Sequence, residues 1–170
     1  MAVLMPLLVL LIIGVFEIGG AFKDVLTTSN AVRDGTRLLS ARGDEGSADC
    51  DALVAAVDAL ELAANFGDLD RIEIFKSDLS GEPVPGFVNT YRWDPTDLDD
   101  LDDETDCEDW DETVAWDPRS RNVLVGVTPL DIVGMRIVYV HDWYTGLPPF
   151  SGSFTIDEQT ITRLEPEGYE

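Results

Sequence analysis

The sequence predicts an α+β protein, with a long N-terminal hydrophobic stalk helix and a small head built from a second helix and an antiparallel sheet. Three observations predict it. Residues 1–16 carry no charge, and no proline occurs between 7 and 82. Past Phe22 the apolar residues recur at three- and four-residue steps, the period of a helix with one buried face. Beyond residue 70, short alternating runs are separated by turns rich in Gly and Pro, the pattern of a small sheet. The 170 residues carry a formal net charge of −23, from 34 acidic and 11 basic side chains. Without a basic face to neutralise phosphate, the chain is excluded as a general nucleic-acid binder. Its hydrophobic content of 45% is nevertheless that of a folded protein.

The apolar run extends from Met1 to Phe22 and is interrupted only by Glu17. At about 1.5 Å per residue, some 20 residues cover roughly 30 Å, the thickness of a bilayer core. The first basic residue is Lys23. A secretory signal peptide opens with basic residues, so the natural N-terminus is expected to precede Met1. Pro6 loosens the helix locally, and Gly14, Gly19 and Gly20 permit close approach of neighbouring helices. From 23 to 42 the pattern is amphipathic, with Phe22, Val25, Leu26, Ser29, Val32, Thr36 and Leu39 on one face. One helix is predicted from about Ala2 to Ala41, ending before Gly43 and about 60 Å long.

The predicted assembly surface comprises Met1, Leu4, Pro6, Leu8, Leu11, Ile12, Phe16, Glu17 and Gly19. Glu17 is the departure, since a carboxylate in an apolar helix needs a partner or water. Two readings stay open: a register contact between packed helices, or a solvated residue at the membrane edge. Lys23 is six positions away, off the favourable three- and four-residue spacings. On the first reading, the partner comes from another subunit.

MAVLMPLLVLLIIGVFEIGGAF followed by TTSNAVRDGTRLLSA resembles the N-terminal signature of TadE-like proteins, the pseudopilins of tight-adherence pilus systems. The matching positions are Pro6, then Glu17, Ile18 and Gly19, then Asn30, Ala31, Arg33, Asp34, Gly35 and Arg37. His141 to Leu147 (HDWYTGL) and Thr160 to Pro166 (TITRLEP) are similar to the C-terminal part of actinobacterial members. The resemblance implies a pilin-like stalk whose lower half packs against other stalks. It also implies a prepilin-peptidase site just before the apolar run, and this sequence begins after that point.

In the head, residues 43–170, a second helix is predicted over Ala48–Ala64. Ser47 or Asp49 caps it, Leu53, Val57, Leu60 and Ala64 face inward, and Gly67 ends it. Strands are predicted at Arg71–Phe75, Val88–Trp93, Ile132–Trp143 and Phe154–Leu164, with a turn over Gly81–Gly86. In the longest strand, Val133, Met135, Ile137 and Tyr139 share one face. Cys50 and Cys107 are the only cysteines, too few for a structural zinc site. In an exported protein a disulfide between them is expected, the alternative being two buried thiols.

Residues 94–117 hold thirteen acidic side chains and no lysine. Carboxylates at alternating positions suit a hard cation, making Asp97, Asp99, Asp100, Asp102, Asp103 and Glu104 candidate calcium ligands. The segment lacks the glycine of an EF-hand loop, and a solvated, self-repelling loop is the simpler expectation. Trp93, Trp110, Trp116 and Trp143 are either core residues, a cover for that loop, or a sugar platform. Having only two lysines in the chain fits a saline setting or a GC-rich genome.

No cofactor is expected apart from that possible calcium. His141, the sole histidine, neighbours Asp142 on a predicted strand, so the two point to opposite faces and cannot couple directly. No nucleophile elbow, phosphate loop or dinucleotide fingerprint is present. The chain therefore reads as a structural subunit, not an enzyme. Its partners are other copies of itself in a helical filament, and a membrane before assembly, with the filament at the cell surface. The alternative is a membrane-anchored binding module whose acidic, tryptophan-containing loop holds calcium or a surface ligand.

Overall fold

The computed structural model describes residues 4–61, 69–92, 107, 110–126 and 129–166. One helix, α1, runs from Leu4 to Arg42, and α2 spans Ala48–Glu61. Five strands follow: β1 (Leu69–Ser77), β2 (Pro83–Arg92), β3 (Asp111–Thr113), β4 (Ile132–Asp142) and β5 (Ser153–Arg163). They form one sheet in the order β3-β2-β1-β4-β5, and each recorded pairing is antiparallel. The predicted α+β class is the observed one. Expectations at Met1, Ala64, Gly67, Trp93 and the candidate calcium ligands Asp97, Asp99, Asp100, Asp102, Asp103 and Glu104 lie outside the described residues.

The core lies between the helices and one sheet face. Val133, Met135, Ile137 and Tyr139 point into it from β4, as their two-residue spacing requires, meeting Leu53, Val57 and Leu60 of α2 and Val32 and Leu39 of α1. Gly35 explains the Asp-Gly pair of the stalk. A Cβ there would fall 2.5 Å from the Met135 sulfur and 3.0 Å from the Ala52 carbonyl oxygen, so only a bare Cα lets α1 sit this close to both β4 and α2.

Three local expectations are corrected. The buried face of α1 is Asp24, Thr27, Thr28, Ala31, Val32, Gly35, Thr36, Leu39 and Ser40, while Phe22 and Leu26 are exposed. Small and polar residues go inward because close packing selects size and their polar atoms find partners: the Thr28 and Thr36 hydroxyls donate to the carbonyls of Asp24 and Val32. The turn placed at 81–86 lies earlier, at Asp78–Glu82, because the Asp78 carboxylate accepts from Ser80 N–H, Ser80 Oγ and Glu82 N–H. These donors favour the ionised form and hold its pKa below the ordinary value. Pro83 then opens β2, and the pairing to β3 involves only Thr90–Arg92, so neither Pro83 nor Pro85 faces a β3 partner. Third, the acidic segment is not loop throughout, since Asp111–Thr113 form β3 and Trp110 and Trp116 enter the core.

Candidate functional site

Leu4, Leu8, Leu11, Val15, Ile18, Phe22 and Leu26 follow steps of four and three and share one face of α1. Each is roughly half exposed or more, from 49% at Leu26 to 66% at Val15. Ile12 is also exposed beside this seam, Phe16 is exposed where its ring meets that of Tyr144 at 5.8 Å, and Pro6 and Gly19 lie on the surface. A Cβ on Gly19 would meet nothing within 4 Å, which leaves room there for a neighbouring helix. The helix is long and apolar enough to cross a membrane, and almost none of its apolar window is covered by the chain itself.

The opposite face is occupied. The connection between β4 and β5, residues 143–152, descends along the stalk and clasps it. Glu17 is fully buried, and its partners belong to its own chain: Tyr144 N–H donates to Oε2 at 2.9 Å and Thr145 N–H to Oε1 at 2.6 Å. Neither the neighbouring subunit nor the solvated edge is needed to satisfy this carboxylate. Gly20 and Gly14 also serve the clasp. A Cβ on Gly20 would collide with the Tyr144 ring, and one on Gly14 would touch Phe150 at 3.6 Å.

One turn higher, His141 Nδ1 meets Asp24 Oδ2 at 2.6 Å, and both residues are buried. Trp143, Tyr144 and Phe154 surround the imidazole, with ring centroids 5.0 to 5.8 Å away. Among the described residues Nε2 has no hydrogen-bond partner. The histidine is thus a packed strut between sheet and stalk. A second brace lies near the top of the stalk, where Glu165 N–H donates to the Ser40 carbonyl and Ser40 Oγ donates to the Arg163 carbonyl. Ser40 is 23 positions above Glu17, about 35 Å along the helix. Segments 141–147 and 160–166 therefore carry the lower and upper braces.

Inside the head, Asp49 does not cap α2. Its Oδ2 accepts from Asn89 Nδ2 and Tyr91 Oη, both at 2.8 Å, and its Oδ1 pairs with Arg121. Burial and the Asp49 charge push the Tyr91 phenol far above its ordinary pKa, so it stays a donor. The adjacent Cys50 is bonded to Cys107, with Cα atoms 5.6 Å apart, tying the middle of the acidic segment to α2. Among the described residues, no group of three or more His, Cys, Asp or Glu side chains could hold a metal ion.

Sequence reasoning missed the clasp and the Asp24–His141 pair. A signal existed, because no charged residue occurs between Asp142 and Asp157 in a chain that is 26% charged. Val15, Ile18, Phe22 and Leu26 likewise continue the heptad-like steps of the lower helix and could have been read as one seam.

No curated protein and no solved structure matches the chain significantly. The family model of TadE-like proteins matches residues 1–37, so over the stalk, from its exposed seam to the Gly35 packing site, this chain is similar to TadE-like, pilin-like proteins.

Proposed function

We propose that the chain is a structural subunit of a pilus-like filament at the cell surface, built from identical copies that pack through the lower stalk. The single observation that carries this reading is the seam from Leu4 to Leu26, left bare on the face of α1 opposite the head's clasp. An apolar surface of this length needs lipid or protein to cover it. Before assembly the bilayer covers it; in the filament, other stalks do. The TadE-like match over residues 1–37 supports the same reading, as that family belongs to pilus systems. The functional work falls to packing and not to catalysis: the only histidine is enclosed by aromatic rings and Asp24. Negative-stain electron microscopy of the native protein tests the proposal. Filaments support it, and single membrane-bound particles under assembly conditions favour an anchored module instead.

A further inference from the structure

The position of the clasp along the stalk has a consequence for the membrane-bound subunit. Resting on the reading of the apolar helix as a membrane anchor before assembly, we propose that the loop 143–152 is embedded in the bilayer leaflet on the head's side, as a second contact with lipid. Phe150 lies against Gly14, eight residues below Phe22 and nine below Lys23, the first basic residue. At 1.5 Å per residue that is about 12 to 14 Å below the expected membrane surface. The loop follows the helix down to that depth. Holding it in water would withdraw Val15, Phe16, Ile18 and Phe22 from lipid, and each of these is at least 60% exposed within the chain.

The composition of the loop suits that location. It has no charged residue although the chain carries −23, and it presents Trp143, Tyr144, Leu147 and Phe150, types that favour the membrane interface or its apolar side. Tyr144 and Leu147 are each 53% exposed, so about half of each side chain is open to its surroundings.

Part of the backbone is already satisfied within the chain. Irregular backbone enters lipid only when its polar groups are satisfied. Here Tyr144 and Thr145 donate to Glu17, Phe150 donates to the Leu147 carbonyl, and Pro148 and Pro149 have no N–H. Glu17 gains from the same arrangement. Both of its oxygens accept from the loop, so a carboxylate at this depth is paired and shielded from lipid. Loop and carboxylate each make the other's burial tolerable.

Fluorescence on the full chain in phosphatidylcholine vesicles tests this. Leu147→Trp places a probe at an exposed loop position, and subtraction of the wild-type signal isolates it. The added emission should be blue-shifted relative to an aqueous tryptophan and should fall in vesicles whose acyl chains are brominated, most where the bromines lie along the chains at the depth of Glu17 to Gly14. Trp143→Phe, made in the native chain, should remove part of the wild-type response to the bromines. Flotation with the vesicles, but with the added tryptophan open to aqueous iodide and indifferent to bromine, overturns the loop proposal and leaves the anchor standing. Failure to float overturns both. A probe that is wet in vesicles and shielded only in filaments assigns the loop to a contact between copies, and also overturns the proposal.

Discussion

The two halves of α1 invert the usual relation between apolar character and burial. Below Lys23 the helix is almost wholly apolar, yet its large side chains from Leu4 to Phe22, apart from the half-buried Ile13, stand exposed, and its fully buried residue is Glu17. Above Lys23 it is more polar, and there Asp24, Thr27, Thr28, Thr36 and Ser40 are buried with Ala31, Val32 and Leu39. The difference teaches that one helix is packed for two environments. The upper half is complete within the chain, its polar atoms paired and its small residues pressed onto α2 and β4. The lower half is complete only when something outside the chain covers it.

If that contrast governs assembly, charge on the seam should have the largest effect. Leu11→Asp puts an unpaired carboxylate on a face with nothing to satisfy it, at several kcal/mol per subunit repeated along a polymer. Assembly should be abolished while the head keeps its wild-type circular dichroism and unfolding midpoint. Filaments of normal appearance from this variant would break the division of the stalk into two environments.

The second test acts on the self-sufficient part. The Cys50–Cys107 bond closes a loop with a sequence separation of 57. Replacing both cysteines by serine should lower head stability by up to about 4 kcal/mol on the chain-entropy account. Urea unfolding of the full chain measures it, and an unchanged midpoint would show that the acidic segment is held by other contacts.

Glu17→Gln sharpens the boundary between the two halves. The amide keeps the shape, but its NH2 group must face one of the two backbone donors that the carboxylate now satisfies. Amide exchange at Tyr144 and Thr145 should speed up on the order of tenfold or more, with β1 and β4 unaffected. Exchange unchanged at both positions would mean that the clasp does not depend on this charge.

The smallest expected effect lies on the exposed sheet face, remote from either stalk environment. Arg136 holds the Asp157 carboxyl below its ordinary range, with Nε and NH2 donating to its two oxygens. A carboxylate whose pKa is lowered by folding contributes stability above its unfolded pKa and loses it as pH falls through the folded value. Asp157→Asn should therefore cost under about 1 kcal/mol at neutral pH, a surface pair being strongly screened. The gap to wild type should close below about pH 4. A gap that persists in acid would point to a role other than charge pairing.

What could be read from the sequence follows the same division. The stalk, α2 and the strongest strands were legible because their periodicities run over many residues: Leu53, Val57 and Leu60 repeat as a helix face, and Val133 to Tyr139 alternate as a strand. The orientation of the upper stalk was misread because hydrophobicity put Phe22 and Leu26 inside, whereas close approach to α2 and β4 selected Ala31 and Gly35. Glu17 was recognised as a residue needing a partner. Its partners are backbone N–H groups 127 and 128 positions away, and side-chain identity carries no trace of such donors. The turn at Asp78 was shifted because two prolines outweighed a single carboxylate able to bond three donors.

The central claim is that identical chains meet through the seam from Leu4 to Leu26. Leu11→Cys adds one thiol to that seam, the native cysteines being bonded to each other. In filaments formed from this variant the thiol should resist an aqueous maleimide, and it should label readily once the filaments are dissociated in denaturant. Filaments in which Cys at position 11 is labelled as fast as in the dissociated chain would contradict the account.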